Sequence, residues 1–239
     1  MLMMKKLAGA LILGAAIVAT GCGSQAEKPA ASSGSGSAAQ ATVTQDVQKN
    51  AQNPGKMLVA YFSLPDNMVS PMTTSDVDAL AQASVLVRDN KQVGISALMA
   101  KTIADKTQAD LYSIQVTKKY PAEYRKTTEI AKDERNNGTK VELANHLPNA
   151  DSYDTIVLVL PVWWGDVPIA IETFLQENSF AGKKVYVVGT SGGSGFDSCV
   201  ESVKRLAPQA DVEQGVFLMT GDARNPEQAT AQWADSIKK

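Results

Sequence analysis

The chain is poor in the residues from which metal sites and acid–base machinery are built. Among its 239 residues there is one histidine, His146, and there are two cysteines, Cys22 and Cys199. So few ligands, so far apart, supply no cluster for zinc or an iron–sulfur centre. The two cysteines sit in contexts too different to suggest a disulfide. Positive charge is not in excess either: 23 Lys and Arg stand against 25 Asp and Glu, a formal net charge of −2. No basic face is on offer to nucleic acid. No Gly-x-Gly-x-x-Gly run opens a helix, so a dinucleotide held in the Rossmann manner lacks its fingerprint. The apolar stretch at residues 7–20 is shorter than the ~20 residues a spanning helix needs.

That short stretch reads instead as an address. Lys5 and Lys6 precede it and small residues follow, ending in Ala19, Thr20, Gly21 and Cys22. This is the layout of an export signal. Its ending resembles the bacterial lipoprotein signal, in which the cysteine is acylated and becomes the first mature residue, although Leu is more usual where Ala19 stands. Residues 1–22 are therefore expected to be a lipoprotein signal peptide with Cys22 lipidated. The acyl chains would anchor the protein at about 0.8 kcal/mol per buried CH₂. Residues 23–55 are dominated by Ala, Ser, Gly and Gln, with almost nothing to offset the entropy of ordering. They are expected to form a disordered tether reaching roughly 30 Å. The folded unit is expected over residues 56–239, at the extracytoplasmic face of the cell membrane.

From Met57 onward, short apolar runs alternate with amphipathic stretches. Residues 57–62, 111–116, 155–160, 185–188 and 212–219 read as strands, the second more alternating and so nearer an edge. Residues 96–106, 122–136, 168–178, 196–206 and 226–237 read as helices, the second a polar surface helix. Strands alternating with helices imply an α/β three-layer sandwich on a doubly wound, five-stranded parallel sheet. One segment breaks the rhythm. Residues 64–93 form an insert after the first strand, and Val85, Leu86 and Val87, the turn-like Asp89-Asn90, then Gln92 and Val93 suggest a small hairpin inside it.

Ligands of open parallel sheets bind outside the carboxyl ends of the strands, and three such ends carry unusual sequence. Ser63 follows the first strand, and Gly94, Ile95, Ser96 and Ala97 open the first helix after the insert. A helix N-terminus with hydroxyls nearby can hold a phosphate, while a serine there is also an ordinary helix cap. Pro161, Val162, Trp163, Trp164 and Gly165 follow the third strand. Adjacent tryptophans at such a place suit a flat aromatic ligand, since stacked rings add roughly 0.5–1.5 kcal/mol beyond area burial. Thr190, Ser191, Gly192, Gly193, Ser194 and Gly195 follow the fourth strand. Glycines there let backbone groups approach a ligand's edge.

Together with residues 58–63, Tyr120-Pro121, Pro168 and Thr173-Phe174-Leu175, these segments resemble the flavodoxin-like family, over roughly residues 57–239. The resemblance implies FMN. Ser63, Gly94, Ile95, Ser96 and Ala97 would take the phosphate end, Pro161, Val162, Trp163, Trp164 and Gly165 one side of the ring, and Thr190 to Gly195 the other. In the family the phosphate loop is usually unbroken, with Gly-Asn-Thr before the helix. Here the insert splits it, and Ile95 brings no amide side chain.

The resemblance implies an electron carrier that passes electrons between FMN and a redox partner protein or a membrane quinone. An FMN-dependent NAD(P)H/quinone reductase is the alternative. Neither needs an acid–base residue, because the flavin carries the chemistry. A sensor or scaffold that has lost FMN is a third class. Gly189-Thr190-Ser191-Gly192-Gly193 also fits the nucleophile elbow of a serine hydrolase using Ser191. That reading needs a histidine after the serine in sequence, and none follows Ser191.

Overall fold

A strand covered on both faces sends successive side chains into two different cores, and that alternation builds this molecule. The computed structural model describes residues 57–72 and 84–238. The expected signal peptide with Cys22, the tether and Lys56 lie outside the described residues. In chain order the elements are β1 (Met57–Tyr61), β2 (Val85–Arg88), β3 (Lys91–Gly94), α1 (Ile95–Thr107), β4 (Asp110–Ser113) and α2 (Tyr124–Asn137). Then come β5 (Thr155–Pro161), α3 (Ile169–Glu177), β6 (Lys184–Ser191), α4 (Asp197–Leu206), β7 (Asp211–Met219) and α5 (Pro226–Ile237).

Five strands pair in parallel in the order β4-β1-β5-β6-β7. Leu58, Ala60, Ile156, Leu158 and Leu160 enter one apolar cluster with Phe174 of α3 and Val203 of α4. Val59, Val157 and Val159 enter the other, with Met99 and Ile103 of α1 and Ala234 of α5. The helices thus cover both faces, the three-layer arrangement expected from the sequence. β4 alternates buried and half-buried residues, as an edge strand should. The strand order reverses between β1 and β5, a switch point where open α/β sheets bind ligands.

Between β1 and α1, β2 and β3 form an antiparallel hairpin. Asp89 and Asn90 turn it with φ of 49° and 59°, the left-handed pair that a two-residue turn requires and that Asn and Asp tolerate. The Gln92 amide binds the hairpin to the chain after β1. Its Nε2 donates to the Met72 carbonyl at 2.6 Å and its Oε1 accepts the Met72 N–H at 2.8 Å. Arg88 ties the far side to Glu227 of α5 and to the Arg224 carbonyl. No helix among the described residues is long and apolar enough to cross a membrane.

Several boundaries differ from the sequence reading: β4, expected over 111–116, is Asp110–Ser113, and two extensions move expected site residues. β5 runs on to Pro161 and β6 to Ser191, so Pro161, Thr190 and Ser191, expected in loops, are buried strand residues. They pair because each finds a neighbour: Pro161 lies opposite Thr190 in the ladder.

Candidate functional site

The ladder between β5 and β6 decides where the two unusual loops go. It continues past the strands with Val162 N–H donating to the Thr190 carbonyl at 2.8 Å, so both loops leave the sheet side by side. Between them and α2 lies a cleft of about 450 Å³. Val162, Trp163 and Trp164 line it from one side, and Ser191, Gly192, Gly193 and Ser194 from the other. Leu64 and Ser84 reach it from the chain after β1. Its remaining wall is a helical stripe of α2: Tyr124, Thr127, Thr128 and Ala131. Pro161, Gly165, Thr190 and Gly195 support these loops without lining the cleft.

The first loop turns on its two tryptophans, which have separate duties. Trp163 is half-buried and wedged edge-on between Phe62 and Tyr120, its ring 5.3 Å from each. Trp164 is 53% exposed. It and Gly165, at φ of 53° and 79°, form the tight turn closed by Trp163 N–H to the Asp166 carbonyl (2.9 Å) and Asp166 N–H to the Trp163 carbonyl (3.1 Å). Glycine suits that backbone, whereas a bulky side chain enters it only under constraint. The Trp164 indole Nε1 donates to the Thr128 carbonyl at 3.0 Å. Lys132 Nζ lies 5.3 Å from its ring centre, a cation–π distance.

The second loop is organised by Ser191. Its buried hydroxyl oxygen accepts the N–H groups of Gly193 (3.2 Å) and Ser194 (2.8 Å). The oxygen that a hydrolase would use as nucleophile is therefore occupied in shaping the loop. His146 is no base for it. Its Nδ1 lies 3.3 Å from Glu177 Oε2, at the end of α3, which runs back from the carboxyl edge of the sheet towards the opposite edge. Gly189 belongs to packing rather than to an elbow: a Cβ there would lie 2.3 Å from the Leu160 carbonyl oxygen and 2.9 Å from the Phe196 ring.

Ser63, Gly94, Ile95, Ser96 and Ala97 do not line the cleft. They gather beside it, joined through Leu64 and through Ser84, whose carbonyl accepts the Ile95 N–H at 3.1 Å. Ser63 is buried, and its Oγ has no hydrogen-bond partner among the described residues. It faces the start of α1 so closely that a Cβ on Gly94 would lie 2.0 Å from that oxygen. Asn67, fully buried, holds the loop in place. Its Nδ2 donates to the carbonyls of Ser63 (2.9 Å) and Ile114 (3.1 Å), and its Oδ1 accepts the Val116 N–H (2.9 Å). Next to it, burial pushes the Asp66 carboxyl above its ordinary value, against hydrogen bonds from Tyr61 and Ser113. Burial and the Asp66 charge push the Tyr61 phenol up to about 12.

Sequence reasoning missed Asn67, Asp166, Arg135 and the α2 stripe. The stripe had a signal: Tyr124, Thr127, Thr128 and Ala131 recur at helical spacing and are uncharged within a helix that is otherwise full of charge.

A doubly wound sheet with a cleft between aromatic and glycine loops at its switch point defines a flavodoxin-like α/β protein. The family model described as Flavodoxin matches residues 84–237, and the chain belongs to that family. β1, which completes the sheet, and Ser63 lie before the matched segment. Among solved structures, a protein assigned as a flavoprotein from Bacteroides uniformis is 26% identical, with 77% of this chain and 99% of that one covered at a TM-score of 0.56. A second, from Bacteroides eggerthii, is 24% identical over 76% and 97% at a TM-score of 0.55. A flavoprotein from Lactobacillus acidophilus, solved in complex with FMN, is 18% identical over 75% and 98% at a TM-score of 0.45. No curated protein matches the chain.

Proposed function

We propose that the protein binds FMN at this cleft and carries electrons outside the cytoplasm, held at the membrane surface through Cys22. FMN is the flavin of the family, and the residues present suit it. The observation that carries the reading is the Ser63 hydroxyl beside the start of α1, buried and without a partner among the described residues. A buried polar atom without a partner costs about 1–3 kcal/mol. With the wall of Leu64 and Ser84 drawn aside, a phosphate oxygen would recover that cost beside the start of α1, where the helix dipole favours an anion. Trp164 and the exposed backbone of Gly192, Gly193 and Ser194 would hold the ring. When bound, the flavin supplies the redox chemistry. The chain's own residues orient it and exclude water from one face.

One feature favours a carrier over a reductase. Val69, Trp164 and Met219, in the segments that follow β1 and β5 and at the end of β7, are exposed and would suit a redox partner protein or a membrane quinone. Titrating the purified protein with FMN tests the cofactor: quenching of flavin fluorescence at one equivalent is expected, and fluorescence left untouched would sink the reading. Turnover with NAD(P)H and a quinone is expected to stay near background, and sustained turnover would favour the reductase. Cys22→Ser is expected to move the protein from the membrane pellet to the soluble fraction.

A further inference from the structure

Trp164 sits where a bulky residue goes only when its surroundings force it, and the force is traceable. The two hydrogen bonds of the turn close the loop without aiming it. Arg135, in the last turn of α2, aims it together with the bond from the Trp164 indole to the Thr128 carbonyl. Its guanidinium is 24% exposed. Nη1 donates to Asp166 Oδ2 at 3.1 Å and Nη2 to the Val167 carbonyl. The same group lies 3.4 Å from Glu172 Oε1 in the first turn of α3. Asp166 also accepts a hydrogen bond from the Ser202 hydroxyl of α4 on Oδ2 (3.0 Å) and from the Val167 N–H on Oδ1 (2.8 Å). Two helices, α2 through Arg135 and α4 through Ser202, therefore converge on the residue that ends the turn, while α3 holds Arg135 through Glu172. Arg135 is itself held by the close of α2, where Gly138 N–H donates to the Arg135 carbonyl at 3.3 Å. A planar guanidinium can serve a carboxylate and a carbonyl at once, and a lysine ammonium cannot reproduce that fork.

We infer that Arg135 and Asp166 are positioning residues: they lock the turn between Trp163 and Asp166 against α2, set the pose of Trp164 at the cleft, and thereby tune flavin affinity and potential. Neither side chain lines the cleft, so their effect passes through the loop. The flavin part of this inference rests on the proposed function, whereas the pose of Trp164 does not.

The test uses the full-length protein with Arg135→Ala, Arg135→Lys and Asp166→Asn, read in two ways. Without flavin, acrylamide quenching of Trp164 is taken as the difference between each protein and its Trp164→Phe counterpart. Quenching is expected to rise in Arg135→Ala and only partly to return in Arg135→Lys. With FMN, the dissociation constant is expected to rise about tenfold in Arg135→Ala, with a shifted midpoint potential. A merely stabilising ion pair would lower the melting temperature and leave Trp164 quenching, FMN affinity and potential unmoved; that result overturns the inference. Should Arg135→Ala fail to fold, the other two variants decide on the same criteria. If the wild type binds no FMN, the flavin reading fails, and the quenching experiment alone still decides whether the pair poses Trp164.

Discussion

Trp163 and Trp164 are adjacent in sequence, and the sequence alone invites treating them as one aromatic platform. Their burial separates them. Trp163 is a wedge between Phe62 and Tyr120, so Trp163→Ala is expected to cost about 3 kcal/mol in denaturant unfolding. Trp164 is exposed, so Trp164→Ala is expected to cost only about 1 kcal/mol, the loss of the hydrogen bond to the Thr128 carbonyl, while weakening FMN binding in titration. Ser63 gives a sharper contrast. Ser63→Ala removes a buried hydroxyl that has no partner among the described residues. The apoprotein is expected to melt at the wild-type temperature or above, and FMN affinity to fall about tenfold, the loss of one charge-assisted hydrogen bond. A melting temperature that falls together with an unchanged affinity would show that Ser63 is a packing residue.

At the scale of elements, strands and helices were legible because their periodicities are local. A buried five- or six-residue apolar run such as that of β5 admits few other readings, and the hairpin of β2 and β3 follows from Asp89-Asn90 between two β-rich runs. α2 was legible as a helix and not as a wall of the cleft. Only two of its residues, Thr127 and Ala131, are buried, and a polar helix looks the same whether its neutral stripe faces solvent or a ligand. Its stop is the informative part: Gly138 at φ 59° closes the helix, with Thr139 N–H donating to the Glu134 carbonyl at 2.9 Å. Gly138→Ala places a Cβ in a left-handed cap and is expected to cost about 1 kcal/mol in chemical denaturation.

For the whole molecule, acid strengthens two sites. Burial raises the carboxyls of Asp66 and Glu134 above their ordinary values, so the folded state holds these protons more tightly than the unfolded chain. Their contribution is most favourable at low pH and is lost as pH rises from the ordinary carboxylate range through the raised values. Asp66→Asn is therefore expected to match the wild type in acid and to gain in melting temperature over it towards neutral pH. A melting-temperature difference that stays constant across the pH series would refute the assignment to Asp66.

What the sequence determined by itself was what local pattern encodes: which segments are strands and helices, that they alternate, and that three strand ends carry glycine, serine and tryptophan where a parallel sheet presents its ligands. Tertiary structure decided the division of labour among those residues. Only packing shows that Ser191 shapes a loop through two backbone N–H groups, that Ser63 is buried beside α1 with no partner among the described residues, and that Arg135 reaches across from α2 to Asp166. The physical reason is range. Periodicity and turn chemistry act between neighbours in the chain, whereas a hydrogen bond between residues 31 positions apart exists only once the sheet has set its strand order and brought α2 against the loop after β5.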